Sequence, residues 1–105
     1  YKMLFGLMAD IKDPREVKTV MDDFLTSSEL TAMAKRLAIA VYLDKGRSYE
    51  DIKNHLKVSS ATIASVAEQM GNPGIQSALN RIKAEQWADE MSGKISNLVK
   101  KVLPR

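Results

Sequence analysis

The chain has 105 residues, 45% of them hydrophobic and 28% charged, with a net charge of +3 and no cysteine. Its length predicts a single domain, and without thiols it has neither a disulfide framework nor thiolate chemistry. No apolar run approaches the roughly 18 residues that a membrane helix needs and no signal peptide opens the chain. The expectation is therefore a cytoplasmic protein with no membrane partner; the sequence opens at Tyr1 rather than Met.

Leu4, Leu7, Met8 and Ile11 recur at helical spacing and predict a first helix near residues 2–11. Asp13-Pro14-Arg15-Glu16 starts a second. Asp13 can cap it, Pro14 suits the first helical position, and Glu16 stands where a capping-box partner belongs. Its apolar stripe is Val17, Val20, Met21 and Phe24. Thr26-Ser27-Ser28-Glu29 repeats the capping-box pattern and opens a third helix, closed by Gly46. Inside it, Leu37-Ala38-Ile39-Ala40-Val41-Tyr42-Leu43 winds almost twice around the axis and leaves no face for water. Such a helix must be surrounded, and one all-helical chain of this size has few elements to do it. We therefore expect a homodimer in which the N-terminal helices and the third helix intertwine. A central helix in a compact monomer is the other reading.

Tyr49 to Val66 carries the strongest functional signal. Ile52 and Leu56 lie four apart on one short helix, and Ile63 and Val66 three apart on another. Val58 plugs the corner between them, and Ser59-Ser60 offers hydroxyls to cap the second helix. This spacing predicts a helix-turn-helix over 48–70, whose second helix can enter a major groove. It also fits an ordinary pair of short helices. Lys57 takes the turn position usually given to glycine, where a left-handed backbone costs roughly 1 kcal/mol.

Gly71-Asn72-Pro73-Gly74 then breaks the chain. The last helical segment, 75–103, carries Ile75, Leu79 and Ile82, followed by Ala84, Ala88, Met91, Ile95, Leu98 and Val102. Gly93 is expected to kink or split it. Acidic and basic residues cancel over 1–74, so the whole positive excess lies in 75–105, on Arg81, Lys83, Lys94, Lys100, Lys101 and Arg105 against Glu85, Asp89 and Glu90. A basic tail beside a helix-turn-helix can neutralise phosphates and release counterions. A solvated helix end accounts for the same charges.

No strand-like alternation occurs, so the predicted class is all-α with about six helices. The catalytic inventory is thin. His55 is the only histidine and lacks neighbouring Cys or paired acids, so no metal ligand set is expected. Asp22-Asp23, Glu50-Asp51 and Asp89-Glu90 are adjacent pairs that diverge on a helix and read as solvated faces. There is no Gly-rich phosphate loop. Trp87 and the six methionines are expected to pack. We expect neither an enzyme nor a cofactor.

The segment FLTSSELTAMAKRLAIAVYLDKGRSYEDIKNHLKVSSATI resembles the trp repressor family, above all its YerC/YecD branch. "LT..E" opens a central helix, "KR" stands in its middle, "GRSYEDI" follows, and "ATI" falls in the reading helix. With the upstream IKDPREV segment the similarity covers roughly residues 3–82. It implies an intertwined homodimer whose two helix-turn-helix units face successive major grooves of double-stranded DNA, and it implies a transcription regulator. It also divides the chain into a trp-repressor-like helical domain over 1–82 and a basic helical extension over 83–105.

In trp repressors proper, L-tryptophan sits between the central and reading helices. Leu25, Thr26, Arg36 and Thr62 match positions that line that pocket. Ser65, however, stands where the reading helix carries its arginine, and Val66 replaces the small glycine after it. The pocket thereby loses its cation for the ligand carboxylate and its planar surface for the indole, so L-tryptophan is not expected as a corepressor. The reading helix departs as well: from Val58 to Met70 there is no Lys or Arg, and Glu68 is negative. Ser59, Ser60, Ala61, Thr62, Ser65 and Gln69 are left to face base edges, with Lys45, Arg47, Lys53 and Lys57 as the phosphate contacts. Binding should then be weak, salt-sensitive or aided by the basic tail. A helical dimerisation or protein-interaction module that has lost DNA reading is the alternative.

Overall fold

Six α-helices follow one another in a computed structural model that describes residues 1–102, with side chains described through residue 94. They are α1 (Lys2–Asp10), α2 (Pro14–Phe24), α3 (Ser27–Asp44), α4 (Tyr49–Leu56), α5 (Ser60–Glu68) and α6 (Pro73–Val102). No strand occurs among the described residues.

Local chemistry sets most of the boundaries. The Asp13 carboxylate caps α2 by accepting from the Arg15 amide at 2.9 Å. The Arg15 guanidinium also donates to that carboxylate at 3.0 Å, a charge-assisted bond, and the Glu16 amide donates to the Asp13 carbonyl at 3.0 Å. Thr26 and Glu29 form the expected reciprocal box. The Thr26 amide donates to Glu29 at 2.9 Å and the Glu29 amide to the Thr26 hydroxyl at 3.1 Å. At the other end of α3, Gly46 takes a left-handed φ of 78°. The Arg47 amide then donates to Tyr42 and the Gly46 amide to Leu43, which satisfies two carbonyls of the last turn.

The chain divides into two compact units, 1–38 and 39–105. In the first, neither α1 nor α2 buries a residue. Leu4, Phe5, Leu7, Phe24 and Met33 are all exposed, Phe24 to 82%. Leu4, Met8, Val20, Met21 and Phe24 help line an entirely apolar cavity of about 310 Å³. The amphipathic stripes foreseen for both helices exist, but within the unit they cover one another only in part.

The second unit holds the core. Ile39, Ala40, Ile52, Ile63, Val66 and Leu79 are buried, with Leu43, Leu56, Val58 and Ile75 packed against them. Fully burying one such aliphatic side chain stabilises by roughly 1.5–3 kcal/mol. The apolar run of α3 is unevenly covered: Ile39 and Ala40 are buried, Val41 to Leu43 half-buried, and Leu37 is 45% exposed. Lys83 on α6 meets Asp44 at the end of α3 at 2.8 Å.

Two expectations fail in α6. The helix is not split at Gly93, which has no positive φ; one helical glycine costs only about 1 kcal/mol against alanine. Trp87 does not pack, being 65% exposed, because it lies beyond Leu79 and Ile82, where α6 has left the core. Met3 and Met33 are likewise exposed. No described helix is long and apolar enough to cross a membrane.

Candidate nucleic-acid interface

One residue starts α4 and two build the corner between α4 and α5. Ser48 caps α4, its hydroxyl accepting from the Asp51 amide at 3.1 Å. Lys57 ends α4 in the left-handed region, φ 55° and ψ 53°, and its amide closes onto the Lys53 carbonyl at 2.9 Å. That reversal turns the chain after a single residue, at the cost a Cβ imposes there. Ser59 then caps α5 by accepting from the Thr62 amide at 3.1 Å. Ile52 from α4 and Ile63 and Val66 from α5 point into the common core, and the two helices pack on each other. The two expected short helices and the tight turn between them are present.

Burial of Ile63 and Val66 decides which side of α5 faces outward. Ser60, Ala61, Ser65, Glu68 and Gln69 are exposed. Ala61, Ser65 and Glu68, spaced four and three apart, share one face. Thr62 is half-buried, and its hydroxyl lies 2.9 Å from that of Ser59. Ser59 and Thr62 therefore serve the cap, while Ser60, Ala61, Ser65, Gln69 and the negative Glu68 make up the outward surface.

Among the basic candidates, Lys45, Arg47 and Lys57 are exposed and Lys53 is half-buried. Arg47 belongs to a network that spacing alone did not bring out. Its guanidinium meets the Asp51 carboxylate at 2.8 Å and lies 5.6 Å from the centre of the Tyr42 ring. His55 approaches the same carboxylate at 3.1 Å and donates from Nδ1 to the Asp51 carbonyl at 2.8 Å, edge-on to Tyr42. The Arg47 hydrogen bond, with His55 adding to it, holds the Asp51 carboxyl below its ordinary range. The readable signal was the four-residue step from Arg47 to Asp51 to His55. In the tail, Lys83 is paired with Asp44, Arg81 and Lys94 are exposed, and Lys100, Lys101 and Arg105 lie outside the described side chains.

The residues matched to an effector pocket fall in both units. Leu25 is half-buried at the end of α2, Thr26 is engaged in the α3 cap, and Arg36 is exposed on α3. Thr62 belongs to the second unit. Ser65 is exposed, and Val66 is part of the core. Among the described residues no cluster of His, Cys, Asp and Glu could hold a metal ion.

The family described as Trp repressor protein matches residues 1–83. A Bacillus subtilis (strain 168) protein named "Uncharacterized protein YerC" is 34% identical over 82 residues, covering 76% of this chain and 79% of its own length. No solved structure matches the chain significantly. The order of helices, the capped corner between α4 and α5, and the span of the match agree: the chain belongs to the Trp repressor family.

Proposed function

We propose that the protein is a homodimeric transcription regulator that holds double-stranded DNA through the α4–α5 corner, mainly by phosphate contacts. The observation that carries this reading is the capped helix pair itself, with Lys53 and Lys57 flanking its turn and the outer face of α5 exposed. Ser60, Ala61, Ser65 and Gln69 are small or neutral, Glu68 on the same face is negative, and Ala61 can meet thymine methyls, so base discrimination is modest. Lys45 and Arg47 add positive charge nearby, and the extension over 83–105 adds more to the domain over 1–82.

Dimerisation is supported by the first unit, which exposes Phe5, Phe24 and Met33 beside an apolar cavity. Contiguous apolar surface of this kind marks an interaction site. L-tryptophan is not the effector in this reading, since Ser65 offers no charge and Val66 is committed to the core. A second reading, a helical interaction module without DNA binding, is favoured by one observation: no Lys or Arg occurs from Val58 to Met70.

A polarisation titration against random-sequence duplex DNA at low and moderate salt separates the two. The regulator binds at low salt and weakens steeply as salt rises. Changing Lys53 and Lys57 together to Ala weakens all sequences alike and lowers the salt slope by as much as about 4 in a dimer. Unchanged binding by that variant would assign DNA to another face, and no binding at low salt would leave the interaction module.

A further inference from the structure

The outward row of α5 runs Ala61, Ser65, Glu68, and all three side chains are exposed. From position 61 to position 68 the row is about 10.5 Å long, within the roughly 12 Å width of a major groove. A groove that receives α5 therefore meets the whole row.

The three residues differ in what they can tell apart. Ala61 makes no side-chain hydrogen bond. The Ser65 hydroxyl both donates and accepts, so it suits any base pair. The ionised Glu68 carboxylate can only accept. It is also the one ionised side chain on this outward surface, beside Ser60, Ala61, Ser65 and Gln69.

Glu68 does not serve the fold. It is exposed in the last turn of α5, where the helix dipole disfavours a negative charge. Among the described residues no cation pairs with it. The same charge repels phosphates, so it opposes binding to DNA in general. Its acceptor oxygens are left as what it can offer a duplex.

We propose that Glu68 is the specificity-determining residue of α5, accepting a hydrogen bond from the N4 amino group of cytosine. The inference rests on the DNA-binding reading above. Only two base groups donate in the major groove, cytosine N4 and adenine N6. On adenine the donor lies beside N7, an acceptor whose lone pair repels a carboxylate; on cytosine it lies beside a carbon. Where no donor is in reach, the carboxylate gives up water for nothing, and that costs affinity. Discrimination at this position comes chiefly from rejecting the wrong pairs. Lys53 and Lys57 supply the phosphate attraction that the row lacks.

The test is selection from a random-sequence duplex pool at low salt by the unaltered full-length chain, Glu68→Gln and Glu68→Ala. Both changes are at an exposed position, and both relieve the helix dipole. The unaltered chain should enrich C·G over the other pairs by about fivefold or more at one position of each half-site. Glu68→Ala should lose that preference without gaining another, and Glu68→Gln should move it toward adenine, whose N6 and N7 an amide matches. Both variants should bind the unselected pool several-fold more tightly than the unaltered chain. The same base selection by all three proteins, or weaker binding of the unselected pool by both variants, overturns the proposal and leaves the DNA-binding reading in place. An unaltered chain that binds no duplex at low salt removes that reading, and this inference with it.

Discussion

Lys57 keeps a left-handed backbone, φ 55°, at the corner of the helix pair, and its side chain opposes its backbone in what each contributes. Lys57→Gly removes the Cβ clash and should stabilise the fold by about 1 kcal/mol, read as a higher urea midpoint at unchanged slope. The same change removes a cation, so DNA affinity should fall while stability rises; a loss of both would mean that the left-handed turn carries no strain. Asp51 sets a pH effect of definite sign. Its folded pKa is depressed, first by the Arg47 hydrogen bond, so its contribution is complete above the ordinary Asp value of about 3.9 and is lost as pH falls through the folded value. Asp51→Asn should therefore flatten the fall in stability below about pH 4; an unaltered acid limb would show the pair to be broken in solution. Ser65 and Val66 govern the effector question. An unpaired buried carboxylate is costly, and neither residue supplies a cation. Calorimetric titration with millimolar L-tryptophan should give no saturable heat, and saturable binding would reveal another anchor.

At the scale of elements, caps decide where helices start. Ser59 accepts from the Thr62 amide and shares a hydrogen bond with the Thr62 hydroxyl. Ser59→Ala should cost about 1 kcal/mol and loosen the first turn of α5, lowering both the urea midpoint and DNA affinity. An unchanged midpoint would show the cap to be dispensable. The capping residues Asp13, Thr26 and Ser59 were legible in the sequence because each acts on an amide two or three residues on, and Glu29 with them, whereas Arg15 and Thr62 were not the partners expected. Gly46 and Lys57 were legible for a similar reason, since a left-handed residue must end each helix before the turn. Trp87 was not, because its exposure depends on where α6 leaves the core, a tertiary fact that helical spacing does not contain. Nor was the competition for hydroxyls on α5. Ser59 and Thr62 resembled base readers by residue type until the cap geometry engaged them.

The whole molecule is uneven in how it is held. Ile39, Ile52, Ile63 and Leu79 close one core, whereas α1 and α2 bury nothing. If the first unit is completed by a partner, sedimentation at micromolar concentration should give twice the 11.7 kDa chain mass. Phe24→Glu, placing a charge on the 82%-exposed ring position, should return the chain to a monomer without disturbing the α4–α5 core. A dimer that survives this change would locate the interface elsewhere.

That unevenness has a consequence in time. Backbone amides open to solvent in cooperative blocks whose opening energies follow local burial. In a dilute chain, amides of α1 and α2 should exchange with deuterium quickly, while those around Ile52 and Ile63 exchange only on global unfolding. Raising the concentration should slow the first group and leave the second almost unchanged. A protease should show the same order, nicking the N-terminal helices first and sparing the α4–α5 corner, so the cellular lifetime of the chain would depend on how many copies surround it.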